Sequence, residues 1–206
     1  MPQIQLTLRE KKYATQKLKI LDAFDEKLKS KSLTDISVKE IARELEISEM
    51  TFFNYFGSKK EVLIYFIELW SLQMQFYIDG KEPKEAIYLI FENTAKIIEE
   101  NHNLFMEIVA SMALHGMAKK DITISKAERI IRFGVDAEYK EGGFQDLIIP
   151  LLGKMCFPNS EIQFIYTALF NICFGTPLLM KCPEFRSLKE HYFEQIDYIL
   201  KGLKNG

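Results

Sequence analysis

Two sets of residues in this 206-residue chain have types and spacings that could do chemistry. One is Glu99 with His102, an E-x-x-H that sets a carboxylate and an imidazole on one helix face. A di-iron site in a helical bundle needs that motif twice, plus carboxylates from two further helices. Here it occurs once, at a helix end. No Gly-rich phosphate loop, G-x-S-x-G or H-E-x-x-H is present. We therefore expect no catalytic residue, metal or cofactor, and keep a helical-bundle enzyme or metal protein as a remote alternative. The other set lies between Ser37 and Glu61, SVKEIARELEISEMTFFNYFGSKKE. A short segment there carries Glu49, Met50, Thr51, Phe53, Asn54 and Tyr55, side chains suited to reading base edges. Asn54 matches adenine, Glu49 can accept from cytosine, and Met50 or Thr51 can meet a thymine methyl. No Arg or Lys stands between Glu44 and Ser58, so the usual bidentate contact to guanine has no donor there. Lys39, Arg43, Lys59 and Lys60 flank the segment and suit phosphate contacts.

The elements that must position these residues are helices. Leu18, Leu21, Phe24 and Leu28 form a stripe in a first helix over about 8–30, ended by the turn-prone SKSLTD. Ser37 and Glu40 spell a capping box for a second helix, in which Val38, Ile41, Ala42 and Leu45 face inward. Glu46-Ile47-Ser48 is a three-residue turn, with Ile47 as its buried plug and Ser48 as the next N-cap. The third helix ends near Tyr55-Phe56-Gly57, where Gly57 suits a left-handed C-terminal position. Small Ala42 lets two short helices cross closely, as a helix-turn-helix requires. Ser58 and Glu61 then cap a long fourth helix to about Ile78.

Further helices follow over about 83–100, 103–118, 160–177 and 187–203. Another starts at the Ser125/Glu128 capping box and is stopped by Gly142-Gly143. The run Leu147–Met155 carries Pro150 and is expected to be irregular or a short helix. The class is all-α, with about nine helices.

Composition narrows the functions further. The chain is 48% hydrophobic and 27% charged, with net charge −2. That balance argues against a general polyanion binder. Residues 1–31 carry eight basic against four acidic side chains, +4, which leaves −6 for the rest. A basic end on an acidic body fits one end facing phosphate. Three cysteines without C-x-x-C spacing suggest buried reduced thiols rather than disulfides or zinc. No run of 18 apolar residues and no secretory signal are evident, so we expect a cytoplasmic protein with no membrane span.

The stretch resembles the DNA-binding domain of the TetR family of transcriptional regulators. The matching residues are Ile20-Leu21-Asp22-Ala23, then Ser37-Val38-Lys39-Glu40-Ile41-Ala42, then Thr51-Phe52-Phe53-Asn54-Tyr55-Phe56 with Lys59 and Leu63. The resemblance implies an N-terminal helix-turn-helix domain at 1–58, a linking fourth helix at about 59–78, and a helical ligand-binding and dimerisation domain at 79–206. It places Ser37, Val38, Lys39, Glu49, Met50 and Thr51 at DNA, with Phe53, Asn54 and Tyr55. Lys59 and Ser37 would hold phosphates. Phe53 stands where the family has Tyr, and Glu46 where its turn has Gly.

For the body, the resemblance implies a pocket and a dimer seam. Pocket candidates are Phe91, Phe105, Met106 and Met112, together with His115, Tyr139, Phe144 and Phe170, a lining for an apolar or aromatic effector. Seam candidates are Ile165, Leu169 and Cys173 on one helix, and Leu188, Tyr192, Ile196, Ile199 and Leu203 on another. The expected partners are a palindromic operator in double-stranded DNA, a second copy of the chain and a small effector. The expected role is repression relieved by that effector. The alternative is a regulator without small ligand, whose body binds a protein partner.

Overall fold

Thr7 opens the first helix by accepting from the Glu10 amide at 3.2 Å, while Glu10 reaches back to the Thr7 amide at 2.8 Å. From that start the computed structural model describes residues 6–115, 122–136, 140, 142–182 and 185–202. Its helices are α1 (Leu8–Leu28), α2 (Val38–Glu44), α3 (Glu49–Tyr55), α4 (Lys59–Ile78), α5 (Pro83–Glu100), α6 (His102–His115), α7 (Lys126–Phe133), α8 (Phe144–Lys154), α9 (Asn159–Gly175) and α10 (Leu188–Gly202). A 3-10 turn, Thr176–Leu179, follows α9, and no strand occurs among the described residues.

Two boundaries differ from expectation. The stop for α7 is Gly134, in the left-handed region at φ 74° and bonded to the Ile130 carbonyl, not Gly142-Gly143. Pro150 lies inside the regular helix α8. Its ring is on the exposed side, and burial of Phe144, Leu147, Ile148, Leu151 and Leu152 on the other face outweighs one missing helix bond.

Packing divides the chain into two compact units, residues Met1–Trp70 with Asn101–Glu141, and Ser71–Glu100 with Gly142–Gly206. This grouping places 101–141 with the N-terminal segment, a different cut from the one at residue 79. In the first unit α1 lies against α2, α6 and α7. Its buried stripe is Ala14, Lys17, Leu21, Phe24 and Leu28, flanked by Leu18 and Ile20. Lys17 is the unexpected member. Its Nζ sits 2.9 Å from Glu128 Oε1 of α7 and 4.1 Å above the Tyr65 ring of α4. The Tyr65 hydroxyl donates to the same carboxylate oxygen at 2.6 Å, and the Ser125 amide donates to the other at 2.7 Å. One buried carboxylate thus caps α7 and ties it to α1 and α4.

Burial pushes the Glu128 carboxyl up, but the Lys17 charge and the bonds from Ser125, Tyr65 and Lys17 outweigh it and hold it below the ordinary value of 4.5. With its folded value lowered, this stabilisation is present above pH 4.5 and is lost as pH falls through the folded value. Glu128→Gln strands a buried ammonium and is expected to cost about 3 kcal/mol at neutral pH. Its loss of stability below pH 4.5 should also be shallower than that of the wild type. Urea denaturation at both pH values measures this. Wild-type stability with a wild-type acid slope would contradict it.

The second unit packs α5 against α8 and α10, and α9 against α8 and α10. Tyr192 of α10 is fully buried and donates to the Cys173 carbonyl of α9 at 2.8 Å. Here the expected dimer seam is corrected. Ile165, Leu169, Leu188, Tyr192 and Ile196 are 0% exposed and Cys173 is 2% exposed, all within their own chain. Ile199 is half-buried, and Leu203 lies outside the described residues. The stripes on α9 and α10 form the unit's own core.

Cysteine placement also differs, with only Cys173 buried and Cys156 and Cys182 exposed. The stretch Asn159–Leu179 is long and apolar enough to cross a membrane by length and composition. Its inward residues, Ile165, Leu169, Ile172 and Cys173, are occupied by packing.

Candidate nucleic-acid interface

The site is built on the turn between α2 and α3. Ser37 accepts from the Glu40 amide at 3.4 Å. The reciprocal half of the expected box is replaced by an ion pair from Glu40 to Lys31 at 3.2 Å. At the other end of α2, the Ile47 amide donates to the Ala42 carbonyl at 2.9 Å, and the Glu46 amide to Arg43 at 3.3 Å. These bonds define a Schellman turn, with Glu46 at its left-handed position, φ 54°. A side chain there costs about 1–2 kcal/mol relative to the right-handed region, which the surrounding packing offsets. Ser48 then caps α3 through the Thr51 amide at 3.0 Å, and its hydroxyl lies 2.8 Å from the Thr51 hydroxyl.

Phe52 holds α3 in place. It is fully buried, stacked on Phe24 of α1 with centroids 5.9 Å apart and in contact with Phe56. Phe56 in turn meets Tyr65 of α4. The helix ends because Phe56 turns extended, at φ −137°. Gly57 is not left-handed. Its lack of a side chain admits the Glu61 carboxylate, which accepts from the Gly57 amide at 2.8 Å.

With Phe52 inward, the opposite face carries Glu49, Met50, Phe53 and Asn54, all exposed, with Met50 at 71% and Phe53 at 47%. These form two parallel i, i+4 rows, Glu49–Phe53 and Met50–Asn54. Thr51 is half-buried and turned to Ser48. Tyr55 is half-buried and packs against Tyr13 of α1, with centroids 4.7 Å apart and the rings tilted by 41°. Lys39 is exposed, whereas Ser37 and Val38 are half-buried.

Lys59 has partners that its expected phosphate role did not include. Its Nζ donates to the carbonyls of Leu33 at 2.5 Å, Thr34 at 3.0 Å and Ile36 at 3.0 Å. All three ammonium hydrogens are engaged in closing the α1–α2 loop. Some of the N-terminal positive charge is also spent internally, with Lys27 bound to Glu44 at 2.8 Å and Lys31 to Glu40. The exposed cations of α1 are Arg9, Lys11, Lys12 and Lys19, and Lys29 at its C-cap is exposed and paired with Glu26.

The other expected sites fare unevenly. Phe91, Phe144 and Phe170 meet in the second unit, at 5.8 and 6.2 Å through Phe144. Tyr166 and Phe174 join that cluster, and the sequence reading missed both. Phe105, Met106 and Met112 belong to the first unit. The His115 side chain and Tyr139 lie outside the described residues. Glu99 of the E-x-x-H accepts from the Leu188 amide at the start of α10. Among the described residues, no group of three or more His, Cys, Asp or Glu could share a metal. Lys17 was also missed, though its place in the 14, 17, 21, 24, 28 stripe was a readable signal.

This geometry defines a helix-turn-helix with an exposed second helix. The profile of bacterial regulatory proteins of the tetR family matches residues 20–66, which hold α2, α3 and their supports. A Thermus thermophilus FadR, a TetR-family transcriptional repressor in complex with lauroyl-CoA, is similar over 91% of this chain and 94% of its own, at 18% identity and TM-score 0.62. A TetR-like regulator from Rhodococcus sp. RHA1 is similar over 94% and 98%, at 16% and 0.56. The TetR-family regulator PfmR, also from Thermus thermophilus, is similar over 89% and 98%, at 20% and 0.53. No curated protein matches the sequence. The chain has the TetR-family fold, and its residues 20–66 match the tetR-family profile.

Lys59→Met is expected to destabilise the protein by about 1–3 kcal/mol by stranding the three carbonyls. The salt dependence of its DNA binding should match that of the wild type. A direct phosphate contact would instead lower the log–log slope by about one. Denaturation curves and fluorescence titrations at several salt concentrations measure both.

Proposed function

We propose that this protein is a homodimeric transcriptional repressor that reads a palindromic operator through α3 and lets go when a small apolar ligand binds. The functional division we infer is residues 1–58 as reading head, α4 at about 59–78 as link, and 79–206 as effector and dimer domain. The observation that carries the proposal is the exposed Glu49/Met50/Phe53/Asn54 face, set on a helix-turn-helix held from behind by buried Ile41, Ala42, Phe52 and Phe56. Such a helix enters the major groove.

The dimer reading rests on α9 and α10. Their inward stripes are already filled, yet α9 keeps Phe164 65% exposed, α10 keeps Tyr198 81% exposed, and Leu178 and Leu179 beyond α9 are more than half exposed. A helix that is apolar on both faces is ordinarily covered on both. A second copy supplies that cover and the second reading head a palindrome needs.

The ligand reading rests on the aromatic cluster of Phe91, Phe144, Phe170 and Phe174, ringed by Tyr166. Its apolar chemistry suits an acyl chain or aromatic ring, and the similar FadR is in complex with lauroyl-CoA. We assign the protein no catalytic step and no cofactor, and place it in the cytoplasm with DNA.

Light scattering at micromolar concentration should give twice the chain mass. Phe164→Glu combined with Tyr198→Glu should give a monomer with wild-type helix content and roughly hundredfold weaker operator binding, through lost bivalency. A wild-type monomer, or a double variant that stays dimeric, would contradict the assigned interface.

A further inference from the structure

Resting on the DNA-binding reading above, we infer that each operator half-site is read through A·T pairs, with thymine methyl groups contributing directly to affinity. The inference follows from which side chains the fold leaves facing outward on α3. Guanine is ordinarily read by an Arg or Lys donating to O6 and N7. No Arg or Lys occurs from Glu44 through Ser58. The next lysine, Lys59, has its three hydrogens on the Leu33, Thr34 and Ile36 carbonyls.

The fold also removes two polar candidates from the outward face. Thr51 is turned to Ser48, and Tyr55 is packed on Tyr13. What remains is one amide, one carboxylate and two large apolar groups. Asn54 carries a donor and an acceptor, the complement of adenine N7 and N6. Met50 and Phe53, 71% and 47% exposed, have no polar edge to match. The apolar feature of the major groove that rewards them is the thymine C5 methyl. Met50 shares a row with Asn54, so an adenine contact places the thioether near the neighbouring pairs. Glu49 accepts only, and repels phosphate. It tolerates one cytosine at the edge of the half-site and disfavours guanine there.

This differs from a phosphate-dominated contact in a measurable way, because uracil retains every hydrogen-bonding group of thymine and lacks only the methyl. The full-length protein should be used to select bound sequences from random duplex DNA, and the winning duplex then remade with uracil at single thymines. We expect A·T pairs at the centre of each half-site. Uracil at a contacted thymine should weaken binding about fourfold, the worth of one buried methyl. Met50→Ala should bind thymine and uracil duplexes alike at that position, and Asn54→Ala should lose about tenfold or more at one adenine. Both side chains are exposed, so both variants should keep wild-type melting. Guanine at the central positions, or indifference to uracil throughout, would overturn the inference while leaving the regulator reading intact. Selection that enriches no sequence at all would overturn both.

Discussion

The reading head depends on one backbone reversal. Between Ala42 and Ile47 the chain must leave α2, turn and start α3 within a few residues, and satisfy the orphan carbonyls of α2 on the way. It does so with two hydrogen bonds, Ile47 to Ala42 and Glu46 to Arg43. The geometry demands a left-handed residue, which glycine supplies without strain and Glu46 supplies with some. Packing is what makes that tolerable. Ala42 is small enough for the crossing, and Phe52 locks α3 onto Phe24. The strain is local, and the phenylalanine contacts that hold it are distributed over α1, α3 and α4.

From that turn follows the division of labour across the site. The exposed face of α3 is apolar and acidic, so in the proposed complex the attraction to DNA comes from its flanks. We assign it to Lys39 and the exposed cations of α1, while Lys59, Lys27 and Lys31 are bonded within the fold. Lys59 closes the loop that sets the start of α2, and so acts on the interface by positioning it. Lys17 plays a comparable part deeper in the unit, where a single carboxylate on α7 gathers three helices.

Much of the head was legible because its signals are local. The caps at Ser37, Ser48 and Ser58 each need only residues three positions apart, and each forms. The Ala42 and Ile47 pattern and the aromatic run from Thr51 to Phe56 likewise carry their meaning in spacing. The loop contacts of Lys59 were not legible because its partners lie 23–26 residues away, in a loop whose path tertiary closure decides. The stripes of α9 and α10 were misread for a different reason. Periodicity says that Leu188, Tyr192 and Ile196 are covered, but not whether the cover is the same chain or a copy. Gly57 shows the limit of residue type alone, since it serves a close approach by Glu61 where a left-handed cap was expected.

In the proposed complex two copies of α3 enter successive major grooves on one face of DNA. Hydroxyl-radical footprinting of the dimer on its selected duplex tests it most directly. Two protected patches are expected, their centres about one helical turn, roughly 34–36 Å, apart or a multiple of it. They should be related by a two-fold axis and should vanish in the Phe164→Glu, Tyr198→Glu variant. One continuous unsymmetrical patch, or none at concentrations where the dimer is intact, would contradict it.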